Sequence, residues 1–249
     1  MATNIIGDTE WNGLPMPRRF GAIVAVAFGV SLSVIDSVIA NVALPTLASE
    51  FGTSSANSVW IVNAYQLALI TTLLIFSNLG DILGYRRIYI SGLVLFTVAS
   101  AGCALSTTFA SLIAWRAVQG IGAAAITSVN TTLIRIIYPR RMLARGMGIN
   151  ATVVAVSSVA GPSVAAAILS VTTWHWLFAV NLPVGLIAFT LSSRFLPHNP
   201  VKVEGRRFDW RSGVMCALTF GLVMACVEGY SHGMSLHVWF VLAAVAAVV

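Results

Sequence analysis

Long apolar stretches separated by short polar ones dominate this chain. Runs of helix-spanning length, each about 20 residues, cover 20–44, 58–79, 88–106, 110–133, 146–170, 177–196 and 212–230. An eighth begins near Leu236 and is still apolar at Val249. The pattern predicts an all-α membrane protein with a tail over 1–19 and a six-helix bundle over 20–196. A proline-bounded, charged linker over 197–211 then leads to a transmembrane hairpin over 212–249, with its second helix truncated.

Within the first run stands a carboxylate, Asp36. A charge near the bilayer centre costs on the order of 3 kcal/mol even on lenient insertion scales, so it needs a functional reason to be there. At i−7, i−3, i+4 and i+7 from it are Gly29, Ser33, Ala40 and Ala43, while Val30, Val34 and Val38 fall on the opposite side. One face is small and polar and the other suits lipid, so Asp36 is expected to look inward.

A partner stands in the fourth run. With a rise of about 1.5 Å per residue, Asp36 lies roughly 12 Å below one end of its run and Arg116 roughly 9 Å below the same side of its own. A carboxylate and a guanidinium withheld from water lower each other's insertion cost by pairing. Arg116 heads a seam of Gln119, Gly120, Ala123, Thr127 and Asn130, and the second run brings Asn63, Tyr65 and Gln66 to the same layer. For Asn63, Gln66 and Thr127, hydrogen bonding between helices is as good an account as a cavity-lining role. In the fifth run, Ser157, Gly161 and the alanines at 165–167 permit close helix approach, and Pro162 removes one backbone hydrogen bond.

Composition narrows the class further. With 58% hydrophobic and 9% charged residues and a mean hydropathy of +0.89, the chain is too apolar for a soluble domain. The net charge of +6 would suit nucleic acid, but its placement argues for topology instead. Of the 14 Lys and Arg residues, all but Arg116 fall in alternate connections or at their edges, from Arg18 and Arg19 to Arg211. By the positive-inside rule the N-terminus is then cytoplasmic, and Trp60, Trp174 and Trp176 mark the outer interface. The first seventeen residues lack the basic-then-apolar pattern of a cleaved leader, so the first span is expected to remain attached.

Other chemistry is weak. Cys103, Cys216 and Cys226 lack metal-ligand spacing and read as small core residues. The run 120–125 imitates a dinucleotide fingerprint, but without a preceding strand. His175, His198, His232 and His237 accompany no recognisable nucleophile, so an enzyme is not expected, nor is any cofactor or metal.

Several stretches read as motifs. They are 36–45, from Asp36 to Pro45; 60–68, with Asn63, Tyr65 and Gln66; and 79–87, with Asp81, Gly84, Arg86 and Arg87. To these are added 116–122, with Arg116 and Gln119; Gly161-Pro162; 174–185; and 208–210. Together they resemble the major facilitator superfamily, and within it the fourteen-helix drug:proton antiporter branch.

The resemblance implies a bundle of two three-helix repeats, with Asp36 and Arg116 in proton coupling and Asn63, Tyr65, Gln66, Gln119 and Thr127 along the cavity. It further implies a conformational latch at Asp81, Gly84, Arg86 and Arg87, and an antiporter motif at Gly161 and Pro162. The expected function is proton-coupled efflux of lipophilic or cationic drugs from a plasma membrane, a bacterial inner membrane by this resemblance. The expected partners are membrane lipid, a proton, a small-molecule substrate, and a missing C-terminal half or second subunit. The alternatives are a truncated or partner-requiring half that transports nothing alone, and a proton symporter of the same fold.

Overall fold

The structure, a computed structural model, describes residues 13–197 together with Met215 and Thr219. The expected hairpin, and all of the linker but Pro197, lie outside the described residues apart from those two positions. The described elements are helical: α1 (Arg18–Glu50), α2 (Ser55–Ser58), α3 (Trp60–Leu83), α4 (Tyr85–Ala104) and α5 (Phe109–Ile137). After a 3-10 turn at Arg140–Met142 come α6 (Leu143–Val171), α7 (His175–Ala179) and α8 (Asn181–Phe195). They make six segments long and apolar enough to cross a membrane, α2 joining α3 and α7 joining α8.

The first helix departs from the sequence pattern, which closes it before Pro45. Instead α1 continues through Pro45 to Glu50. A proline inside a helix removes only one backbone hydrogen bond directly, and Leu47, fully buried in a core cluster with Ile39 and Ala43, anchors the turn beyond it. The expected lipid side of α1 is also corrected at Val30, which is only 3% exposed. The reason is position: α1 packs against α3, α5, α6 and α8, so it has no purely lipid-facing side. Gly29, Ser33, Asp36, Ala40 and Ala43 are all buried, as their spacing predicts.

Glycines set the closest helix contacts. A Cβ on Gly120 would sit 2.3 Å from the Tyr65 carbonyl oxygen of α3, and one on Gly122 would sit 2.6 Å from the Phe96 backbone nitrogen of α4. Two residues apart on a helix point to opposite sides, so α5 is pressed between α3 and α4 at backbone distance. This packing is what the glycines of 120–125 do. A Cβ on Gly161 of α6 would sit 2.7 Å from the Val38 side chain, and the Ser157 hydroxyl donates to Ser31 at 3.0 Å, so α6 approaches α1 as its small residues predict.

Two apolar clusters form the core. One, around Val26, Tyr89, Phe96 and Val129, lies toward the arginine-rich end. The other, around Ile39, Leu47, Leu112, Leu177 and Phe178, lies toward the opposite end. Trp174 belongs to the second cluster and is 3% exposed, stacked on His175 with ring centroids 3.7 Å apart. Its ring is thus packed inside the bundle at that end, whereas Trp60 and Trp176 are exposed.

Candidate functional site

Between the two apolar clusters lies a polar layer. On α1, Asp36 sits between Leu32 and Ile39, one from each cluster; on α5, Arg116 sits one turn past Leu112. Both side chains have no exposure, and Arg116 Nη1 donates to Asp36 Oδ2 at 2.6 Å. The depth argument that put them at one level is met by their contact.

Further donors complete the carboxylate. Asp36 Oδ1 accepts from Gln119 Nε2 at 2.9 Å and from Asn181 Nδ2, at the start of α8, at 2.6 Å. Arg116 is held on several sides: Nη1 also donates to Gln119 Oε1 at 2.6 Å, and Nε donates to the Ile61 carbonyl of α3 at 3.2 Å. Its guanidinium carbon lies 4.3 Å from the Tyr65 ring centroid and 5.7 Å from that of Phe178, within cation–π range. Arg116 Nη2 has no hydrogen-bond partner among the described residues. From α4, Ser100 Oγ accepts from Gln119 Nε2 at 2.8 Å and from Asn181 at 3.4 Å, and the Cys103 thiol donates weakly to Gln119 Oε1 at 3.6 Å.

The arrangement neutralises two buried charges by ion pairing and directed hydrogen bonds. In low dielectric such a pair holds together strongly, and loss of either partner leaves an uncompensated charge.

The predicted residues divide. Asp36, Arg116, Gln119 and Tyr65 are brought together, and the Tyr65 hydroxyl donates to the Ser33 carbonyl at 3.4 Å. Asn63 and Gln66 are half-buried on α3 and bond neither Asp36 nor Arg116. Thr127 donates to the Ala123 carbonyl of its own helix at 2.8 Å and stands three turns past Arg116 along α5. Gly161 and Pro162 lie on α6 beside Val38, away from the carboxylate. At the arginine-rich end, Gly84 alone separates α3 from α4 with φ 105°, a conformation that favours glycine. There the Tyr85 hydroxyl donates to Asp81 at 2.6 Å, the Arg86 guanidinium donates to the Ser193 carbonyl of α8, and Arg87 is exposed.

Asn181 and Ser100 were not legible as site residues. For Asn181 the signal was an amide inside an apolar run, the same that singled out Asn63 and Gln66, and for Ser100 only a hydroxyl; neither signal ranks such residues.

Comparison with known proteins agrees with this architecture. The sequence profile described as Major Facilitator Superfamily matches residues 26–246. The uncharacterized transporter YebQ of Escherichia coli is 54% identical over 225 residues, which are 90% of this chain and 49% of that protein. The riboflavin transporter RibZ of Clostridioides difficile is 31% identical, covering 78% of this chain and 42% of its own length. The Salmonella typhi protein MdtD, which carries a multidrug-resistance name, is 31% identical over 86% of this chain and 45% of its own. The chain thus spans about half the length of the curated relatives it matches. Among solved structures, a human organic anion transporter matches with a TM-score of 0.66 at 17% identity, over 82% of this chain and 55% of that one. An inward-facing, unoccupied bacterial homologue of the lysosomal transporter Spinster matches with 0.59 at 18% identity, over 87% and 54%.

Proposed function

The chain belongs to the Major Facilitator Superfamily, and from that premise we propose that it is the N-terminal part of a proton-coupled efflux transporter. Its substrates are lipophilic or cationic small molecules, and it sits in the plasma membrane with its N-terminus in the cytoplasm. The observation that carries this reading is the Asp36–Arg116 pair, fully buried in the polar layer between two apolar clusters. Buried ionisable groups at membrane depth mark proton relays and substrate paths.

In this scheme Asp36 takes a proton from the outer side, its hold on Arg116 loosens, and substrate leaves; return to the inward-facing state releases the proton to the cytoplasm. Gln119 and Asn181 hold the carboxylate in place through both steps. Superfamily transport proceeds by rocking of one half against the other around a site near the midplane, so the remaining wall comes from the rest of the protein or from a second subunit. The loop from Asp81 to Arg87, tied to α8 through Arg86 and Ser193, acts as the latch of the inward-closed state. The likeness to a riboflavin transporter favours a second reading, in which the solute is one defined metabolite.

The test is Asp36→Asn in the full-length protein. In everted vesicles, substrate-induced proton release is expected to fall to background while substrate binding persists. Undiminished pH-driven export by the variant would overturn the coupling role of Asp36, and the direction of dye movement in the same vesicles separates export from uptake.

A further inference from the structure

We infer that a cavity between α1, α6 and α8 is a second binding site, for uncharged lipophilic molecules that carry a hydrogen-bond donor. The cavity is an open cleft of about 400 Å³ lined by Phe28, Ser31, Ile35, Val164, Asn181 and Val184 among others. Its size falls within the range of small-molecule sites. A neighbouring cavity of about 380 Å³ is lined by Val171, Trp176 and Pro183 among others and shares Val180 with the first. Helices α6 and α8 barely touch each other, and Val171 and Trp176 at the far end are 79% and 58% exposed. The two cavities thus lie along the cleft between α6 and the α7–α8 segment, with Asn181 lining the first.

The lining sets the chemistry of the guest. Among the described residues no charged side chain lines either cavity, so a cation would lose its hydration without compensation there. The Asp36 carboxylate offers no remedy, because it is unexposed and already accepts from Arg116, Gln119 and Asn181. Asn181 and the Ser31 hydroxyl are the polar groups of the first cavity, and Ser31 already accepts from Ser157. An ionised carboxylate only accepts, so the amide nitrogen of Asn181 faces Asp36 and Ser100, and its amide oxygen is turned away from them. Among the described residues nothing donates to that oxygen. A phenol, alcohol or amide N–H in the cavity satisfies it; an acyl chain does not.

The inference extends the transport reading by naming a ligand class, while binding itself requires no proton exchange. Its test uses the full-length protein in phosphatidylcholine liposomes at constant pH. A diazirine-bearing alkylphenol, its methyl ether and a quaternary ammonium analogue are photolysed with it, and labelled peptides are mapped by mass spectrometry. The phenol is expected to label α6 and α8 near Val164 and Val184 at least tenfold more than either analogue. Val184→Trp, which fills the cavity, is expected to abolish that labelling, and Asn181→Leu to reduce the phenol to the level of the ether. Equal labelling by phenol and ether would mean that bilayer chains fill the cleft, and an unlabelled cleft would mean that residues 212–249 or another part of the protein cover it; either result overturns the inference. Loss of proton exchange in Asp36→Asn beside an unlabelled cleft sinks the cavity alone, and a labelled cleft beside intact exchange sinks the coupling scheme alone.

Discussion

Asp36 is an acid with no exposure whose two oxygens accept three short hydrogen bonds, one of them from an equally buried guanidinium. The worth of that pair is a difference between attraction and lost hydration, and breaking it from one side is the expensive case. Arg116→Met is therefore expected to lower stability by about 3–5 kcal/mol, read as a fall in unfolding temperature in detergent. Adding Asp36→Leu should recover most of that loss, because it removes the stranded charge. A double variant as unstable as the single one would show that Arg116 acts through packing on Tyr65 and Phe178 instead. These two residues could be read from the sequence because charges in apolar runs are costly enough to demand an explanation. Asn181 and Ser100 could not, because small polar side chains in membrane helices are equally at home bonding their own backbone, as Thr127 does.

At the scale of elements, α5 is fixed by two glycines on opposite sides, one against the α3 backbone and one against α4. Gly120→Ala and Gly122→Ala are each expected to lower thermal stability, since a single methyl group there meets backbone atoms that cannot give way. Gly148→Ala is the control: a Cβ there meets nothing within 4 Å, and the change is expected to be neutral or to add up to about 1 kcal/mol through helix propensity. If all three behave alike, the close approach of α5 is not what holds the bundle. Helix existence followed from apolar runs of spanning length, but helix ends did not. Pro45 was a local stop signal that lost to the burial of Leu47 beyond it, and the inward packing of Trp174 on Phe51 and Phe178 depends on partners distant in the chain.

Across the whole molecule, arginines gather at one end of the bundle, and the opposite connections contain neither lysine nor arginine. Topology should follow. A green fluorescent protein fused after Pro197 is expected to fluoresce, and alkaline phosphatase fused at the same point to be inactive; the reverse would place the arginine-rich end outside. The bundle outline and its central charges were thus open to reading from pattern and composition. The splayed seam between α6 and α8 was not, because it depends on how two helices diverge rather than on what either contains.

The mutual neutrality of Asp36 and Arg116 has an electrical consequence. As an ion pair they carry no net charge, so a membrane potential exerts no net pull on them. A proton added to the acid leaves one positive charge within the field, worth up to about 2.3 kcal/mol per 100 mV. An inside-negative voltage then draws the protonated bundle toward the inward-facing state, and a potassium diffusion potential imposed with valinomycin, at equal pH on both sides, is expected to accelerate exchange in vesicles holding the full-length protein and to leave Asp36→Asn unaffected.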